Sequence, residues 1–164
     1  METITTRSKL ASLVLRSTEG RTPAPLNAVG EELLIKAAGP DTADRFAFFH
    51  LTVPPMSGPP LHVHTREDEL FYILSGELTF QIDDARTAVN ADTTVFAPRG
   101  IVHTYQNFSR EASRLLIVVT PAGLDRFFEE LSAGTPLGVM PDIAFLEGLH
   151  AKYGITTMGP PLGR

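Results

Sequence analysis

An all-β domain closed off by one or two C-terminal α-helices is predicted by three features of the 164-residue sequence. From residue 31 to 120 the chain runs in short apolar stretches, each bounded by Gly, Pro, Asp or Asn, the punctuation of a sandwich or barrel. In ELTFQID (77–83), Leu78, Phe80 and Ile82 alternate with Glu77, Thr79 and Gln81, the period of two that belongs to a half-buried strand. After residue 122 the period changes to that of a helix.

Residues 1–30 read as an N-terminal extension, with one short apolar segment, LASLVL (10–15), expected as a helical turn or a strand packed on the outside. The β region spans 31–121. Its strands are EELLIKA (31–37), RFAFFHLTVP (45–54), DELFYILS (68–75), ELTFQID (77–83), TTVFAP (93–98), HTYQN (103–107) and SRLLIVVT (113–120), with tight turns at Ser75-Gly76 and Asp83-Asp84. Phe46, Phe48, Phe71, Ile73, Phe80 and Phe96 form the expected interior, and His50 lies on a strand that can line it. In LFYILS and RLLIVV both faces are apolar. A sheet of that kind needs a second cover, either the terminal helices or another copy of the chain. Residues 122–164 supply the helices: in 123–133 Leu124, Phe127, Phe128 and Leu131, and in 141–153 Ile143, Leu146 and Leu149 or His150, recur at helical spacing. His150 is expected on a helix surface, and the Gly- and Pro-rich tail beyond 155 is expected to be irregular.

Composition removes several function classes. With 14 basic against 19 acidic residues and a net charge of −5, there is no basic stripe for a phosphate backbone, so no nucleic-acid partner is expected. The absence of cysteine excludes disulfides and thiolate chemistry. No apolar stretch approaches the roughly 20 residues that span a bilayer, and LASLVL is too short for a signal-peptide core. No membrane partner is expected, and a cytoplasmic location is.

Two of the five histidines, His62 and His64, stand one residue apart in PPLHVHTREDELFYILSG (59–76). Residues two apart on a strand point the same way, so both imidazoles face one side at a spacing one ion can bridge. Among the three acids that follow, Glu69 shares strand parity with Phe71 and Ile73, whereas Asp68 falls on the opposite face. Downstream, Pro98-Arg99-Gly100 makes a turn that can aim His103 inward. Three imidazoles and one carboxylate suit a divalent transition metal (Fe, Mn, Ni, Co, Cu or Zn) better than Mg or Ca.

On these residues the sequence resembles the cupin superfamily. His62-x-His64, Glu69 and Gly76 follow its first motif, and Pro98-x-Gly100, His103 and Asn107 its second. Two glycines of the pattern depart: that of the first motif is displaced, with only three residues between Gly58 and His62, and that of the second is replaced by Asp92. The resemblance covers about residues 46–121 and implies a cupin jelly-roll β-barrel, one metal ion held by His62, His64, Glu69 and His103, a small-molecule substrate, and a homodimer. Among cupins the chain looks most like small bacterial proteins related to quercetin dioxygenases, on HVHTREDELFYILSGELTF and PAGLDRFFEEL. That likeness implies oxygenation of a flavonol or another enolisable compound, with Glu69 doubling as catalytic base. A metal-dependent isomerase or lyase of a sugar or keto acid, and a non-catalytic binding protein, are the alternatives.

Overall fold

The structure, a computed structural model, describes residues 11–163. Residues 1–10, which include the first residue of LASLVL, lie outside the described residues. Residues 11–15 form neither helix nor strand, and Val14 is 91% exposed. The strands are β1 (Leu26–Ala28), β2 (Glu31–Ala37), β3 (Ala47–Val53), β4 (Leu61–His64), β5 (Asp68–Ser75), β6 (Glu77–Ile82), β7 (Ala85–Asn90), β8 (Thr94–Ala97), β9 (His103–Gln106), β10 (Ser113–Thr120) and β11 (Ile155–Gly159). Three helices join them: α1 (Gly39–Thr42), α2 (Leu124–Gly134) and α3 (Ile143–Tyr153).

The strands build two antiparallel sheets, one of six in the order β1-β2-β3-β10-β5-β8 and one of five in the order β11-β4-β9-β6-β7. This is a β-sandwich rather than the expected closed barrel, since each sheet keeps two open edges. Between the sheets lies the core, in which Phe49, Phe71, Phe80, Leu33, Ile35, Leu51, Ile73, Leu78 and Leu115 are fully buried. Truncating one of these phenylalanines to alanine costs about 3–5 kcal/mol.

The inward face of β3 differs from the expected one. Ala47, Phe49, Leu51 and Val53 are buried, while Phe46 and Phe96 are 37% and 56% exposed and Phe48 is half-buried. In RFAFFHLTV phenylalanine occupies both parities, so the aromatic count misleads, and the polar pair His50 and Thr52 marks the outer face. His50 therefore lies outside the sandwich, opposite Leu34 on β2 and Leu116 on β10. Phe71, Ile73 and Phe80 are interior as expected.

Both ends of the chain contribute more order than their composition suggests. β1 pairs with β2 through a two-residue turn, Val29-Gly30, with φ of 56° and 94°, the left-handed pair that suits the twist of a hairpin. Asn27 on β1 is buried and donates from Nδ2 to the carbonyls of Pro136 and Val139, each at 2.8 Å, tying β1 to the connection after α2. At the other end, Ile155–Gly159, expected to be irregular, adds β11 to the edge of the five-stranded sheet and registers Thr157 against His62. Phe128 of α2 packs on Phe49 at 5.4 Å, so α2 covers an open edge of the core. α3 starts at Asp142, whose Oδ1 accepts from the amides of Ala144 and Phe145. Glu130 then joins the helices, accepting from Lys152 and from the Tyr153 hydroxyl. Among the described residues no helix is long and apolar enough to cross a membrane.

Candidate metal centre

Strand parity delivers the first two ligand candidates, and strand pairing delivers the others. His62 and His64 lie on β4, and His62 stands directly opposite His103 on β9. Glu69 enters from β5 in the facing sheet, where it is registered against Ala97 on β8 and Val119 on β10. One donor atom from each of His62, His64, Glu69 and His103 lies within 4.8 Å of the others. The imidazole centroids are 4.6 Å apart for His62 and His103, 5.0 Å for His62 and His64, and 5.7 Å for His64 and His103.

The turns that hold these strands account for both departures from the motif. Met56, six residues before His62, and Asp92, six before Pro98, stand where the pattern has glycine, and both adopt left-handed backbone, with φ of 60° and 63°. The turn geometry is thus kept without the residue that favours it. Asp92 gains a local partner, since its Oδ1 accepts from the Tyr72 hydroxyl at 2.9 Å. Gly58 serves a different need: a Cβ there would lie 2.2 Å from the carbonyl oxygen of Tyr105. The Pro98-Arg99-Gly100 turn is anchored at both ends. The Gly100 amide donates to the His64 carbonyl at 2.8 Å, and Asp68 accepts from the Arg99 amide and guanidinium at 2.9 Å each. Asp68 thus faces out to hold the turn while its neighbour Glu69 faces in, as parity predicts.

Each imidazole is oriented through Nδ1. His62 donates to the Pro60 carbonyl at 2.7 Å and His103 to the Ile101 carbonyl at 3.0 Å, which leaves Nε2 of each for the centre. His64 differs, with its Nδ1 3.3 Å from Glu67 Oε2, so its outer partner is a carboxylate. Glu67 is only 3% exposed. Sequence reasoning gave it no role because its place in TREDE falls before the strand begins, and only its i,i+3 spacing from His64 hints at the contact.

Within the cluster Glu69 is the common neighbour of two imidazoles. Glu69 Oε2 is 2.7 Å from His103 Nε2 and 3.4 Å from His64 Nε2. Burial pushes Glu69 up, yet the charge of His64, the hydrogen bond from His103 and the charges of His103 and His62 together bring it down to about 2. Burial pushes His103 down, but its bond to Glu69 outweighs this and the net direction is up, as an imidazole with acceptors on both nitrogens requires. His62, desolvated and beside His103 and His64, falls to about 3. Three imidazole nitrogens and one carboxylate oxygen fit a divalent transition metal, and each is a side chain an ion can take from its present partner.

The cluster opens onto a cavity that is otherwise apolar. Leu51, Phe71, Ile117, Leu124, Phe127, Phe128 and Ile155 line it, together with Tyr105 and His150, and no Lys or Arg is among the lining residues. Tyr105 donates its phenolic hydrogen to Glu31 Oε2 at 2.7 Å, and Ser57 donates to the other oxygen of that buried carboxyl at 3.1 Å. Neither Tyr105 nor Glu31 carries a local sequence signal. His150, expected on a helix surface, is buried at 6% exposure on the cavity side of α3.

Comparison with known proteins agrees with the scaffold. Residues 49–119 match the family model described as Cupin domain. No curated protein matches the chain in sequence. A protein described as a predicted oxalate decarboxylase from Thermotoga maritima superposes with a TM-score of 0.61 at 24% identity, over 66% of this chain and 99% of that one. An RmlC-like cupin from Shewanella frigidimarina does so at 0.55 and 14%, over 68% and 96%. The polyketide cyclase RemF from Streptomyces resistomycificus follows at 0.56 and 25%, over 67% and 80%. The first two likenesses are of fold alone. The domain match and the cupin-fold neighbours support the cupin superfamily.

Proposed function

We propose, on the cupin scaffold of residues 49–119, that His62, His64, Glu69 and His103 hold one divalent transition-metal ion and that the protein is an oxygenase of an uncharged, enolisable small molecule of the flavonol type. The observation that carries this reading is the pairing of a four-donor cluster with a cavity whose remaining wall is apolar but for Tyr105 and His150 and carries no Lys or Arg. A carboxylate- or phosphate-bearing substrate would find no basic partner on that wall, whereas a flat aromatic one gains from Phe71, Phe127 and Phe128. When bound, the ion would supply Lewis-acid activation of a substrate oxygen and access to one-electron chemistry with O2.

The chain's own groups do the rest. The apolar wall excludes water from the reacting atoms. Glu69 contributes the anionic donor, and it is also the candidate base for a substrate hydroxyl. Held at about 2 by its imidazole neighbours, it must loosen from His103 to accept a proton. Purified protein should contain about one transition-metal ion per chain and consume O2 with a panel of flavonols and β-diketones. Metal without O2 uptake across the panel would contradict the oxygenase reading.

A second reading is favoured by the likeness to RemF, whose name is that of a cyclase. The same cluster would then polarise a ligand carbonyl for isomerisation or elimination without O2, and turnover under anaerobic conditions separates the two. A non-catalytic binding protein would bind ligand and show neither. We also assign a second copy of the chain to the outer face of the six-stranded sheet. There Leu70, Tyr72 and Phe96 are 41%, 39% and 56% exposed, and light scattering of the eluted protein tests for a dimer.

A further inference from the structure

Beyond the cluster, two side chains with hydrogen-bonding capacity line the cavity, Tyr105 and His150. The Tyr105 hydroxyl hydrogen is committed to Glu31. His150 is held differently. Its Nδ1 lies 2.9 Å from Thr157 Oγ1, and its ring stacks on Phe127 with centroids 5.7 Å apart and planes at 29°. Thr157 is in turn registered against His62 across the β4–β11 pair, so the strand that braces His150 is the same one that backs a cluster histidine. No hydrogen bond of His150 Nε2 is found among the described residues. Burial, and then the charge of His64, push His150 down to about 4, so the ring is a neutral imidazole at ordinary pH.

The ring is fixed by Thr157 and Phe127, and its Nε2 has no partner yet is not sealed from solvent, so the nitrogen is open to a molecule in the cavity. Both elements that supply it, α3 and β11, lie after the segment that matches the cupin domain. We propose that His150 is a ligand-binding residue of this cavity, its Nε2 hydrogen-bonding a hydroxyl or carbonyl group of the bound molecule at a position away from the metal cluster. The C-terminal segment is then part of the binding site as well as its cover. The ligand class narrows to neutral aromatic molecules bearing at least two separated polar groups, one for the cluster and one for His150. This inference rests on the flavonol-type reading given above.

The test uses the full-length protein and 3,4′-dihydroxyflavone as probe, whose 4′-hydroxyl lies far from the 3-hydroxyl and 4-carbonyl, with binding followed by the probe's fluorescence and metal content by elemental analysis. Asparagine reproduces a polar atom near Nδ1 but not at Nε2, and glutamine reaches the Nε2 position. His150→Asn should weaken binding about tenfold, His150→Gln should restore most of it, and both should keep the wild-type metal content. Unchanged binding by a folded His150→Asn overturns the assignment. Should that variant lose its native circular dichroism, wild-type protein labelled with 15N-histidine decides: the His150 Nε2 resonance moves on adding 3,4′-dihydroxyflavone if it is the contact and stays in place if it is not. A wild-type protein that binds none of the probe overturns the flavonol-type reading itself, and this assignment with it.

Discussion

Two glutamates of the six-stranded sheet, Glu31 on β2 and Glu69 on β5, are almost equally deprived of water and are driven in opposite directions. Glu31, 1% exposed, meets only the hydroxyls of Tyr105 and Ser57, and burial raises it to about 7. Glu69, 5% exposed, is surrounded by three imidazoles that overcome the same desolvation and hold it at about 2. Neutral donors orient a carboxyl but do not offset the cost of its charge, whereas a cluster able to carry positive charge does. The surroundings of Glu69 are therefore a place for charge, and those of Glu31 a place for a neutral acid.

The largest effect is expected from removing the charge at Glu69. Glu69→Gln should lower affinity for a divalent transition metal by more than the roughly 100-fold that a change of outer partner can cause, measured by competition with a chromogenic chelator. An affinity close to wild type would break the contrast at its charged end.

The neutral end predicts a pH dependence. Because the folded state raises Glu31, the native protein keeps a proton that the unfolded chain releases between 4.5 and about 7. The contribution is full below 4.5, is lost as pH rises through that window, and levels off above about 7, for a total of up to about 3 kcal/mol. Glu69 runs the other way in the metal-free protein, its contribution present above 4.5 and lost as pH falls towards 2. Urea unfolding of Glu31→Gln at pH 5 and pH 8 should show the variant gaining on wild type at the higher pH. A constant difference between the two would leave Glu31 without a cost to relieve.

A smaller effect sharpens the comparison from outside the cluster. Glu67 is the one anionic partner among the Nδ1 contacts of His62, His64 and His103, and Glu67→Gln should weaken metal binding by about 10- to 100-fold while leaving the fold intact. Smallest of all is Asp68, adjacent to Glu69 but turned outward onto the half-exposed Arg99. Arg99→Ala should change neither metal content nor thermal midpoint beyond experimental error, because exposed ion pairs contribute little.

How much of this was legible in the sequence follows from where each signal lives. Strand parity is a local property, so His62, His64 and Glu69 could be assigned to one interior, and the turn before His103 could be read from Pro98 and Gly100. The same reasoning failed at β3 and the residue before it, where Phe46, Phe48 and Phe49 occupy both parities and only the polar residues discriminate. Partners set by tertiary contact carry no such mark. Glu31 meets Tyr105 across 74 residues, and His150 joins the cavity because β11 forms, in a segment whose Gly and Pro content suggests irregular chain. Met56 and Asp92 show the reverse case, in which the residue type changed and the backbone conformation did not.

The most direct measurement is the transition-metal content of wild-type protein purified without chelator, set beside that of His64→Ala. The account predicts about one ion per chain in the wild type and almost none in the variant, with the circular dichroism of both unchanged. Full metal content in a folded His64→Ala, or a wild type that takes up no transition metal when it is offered, would contradict it.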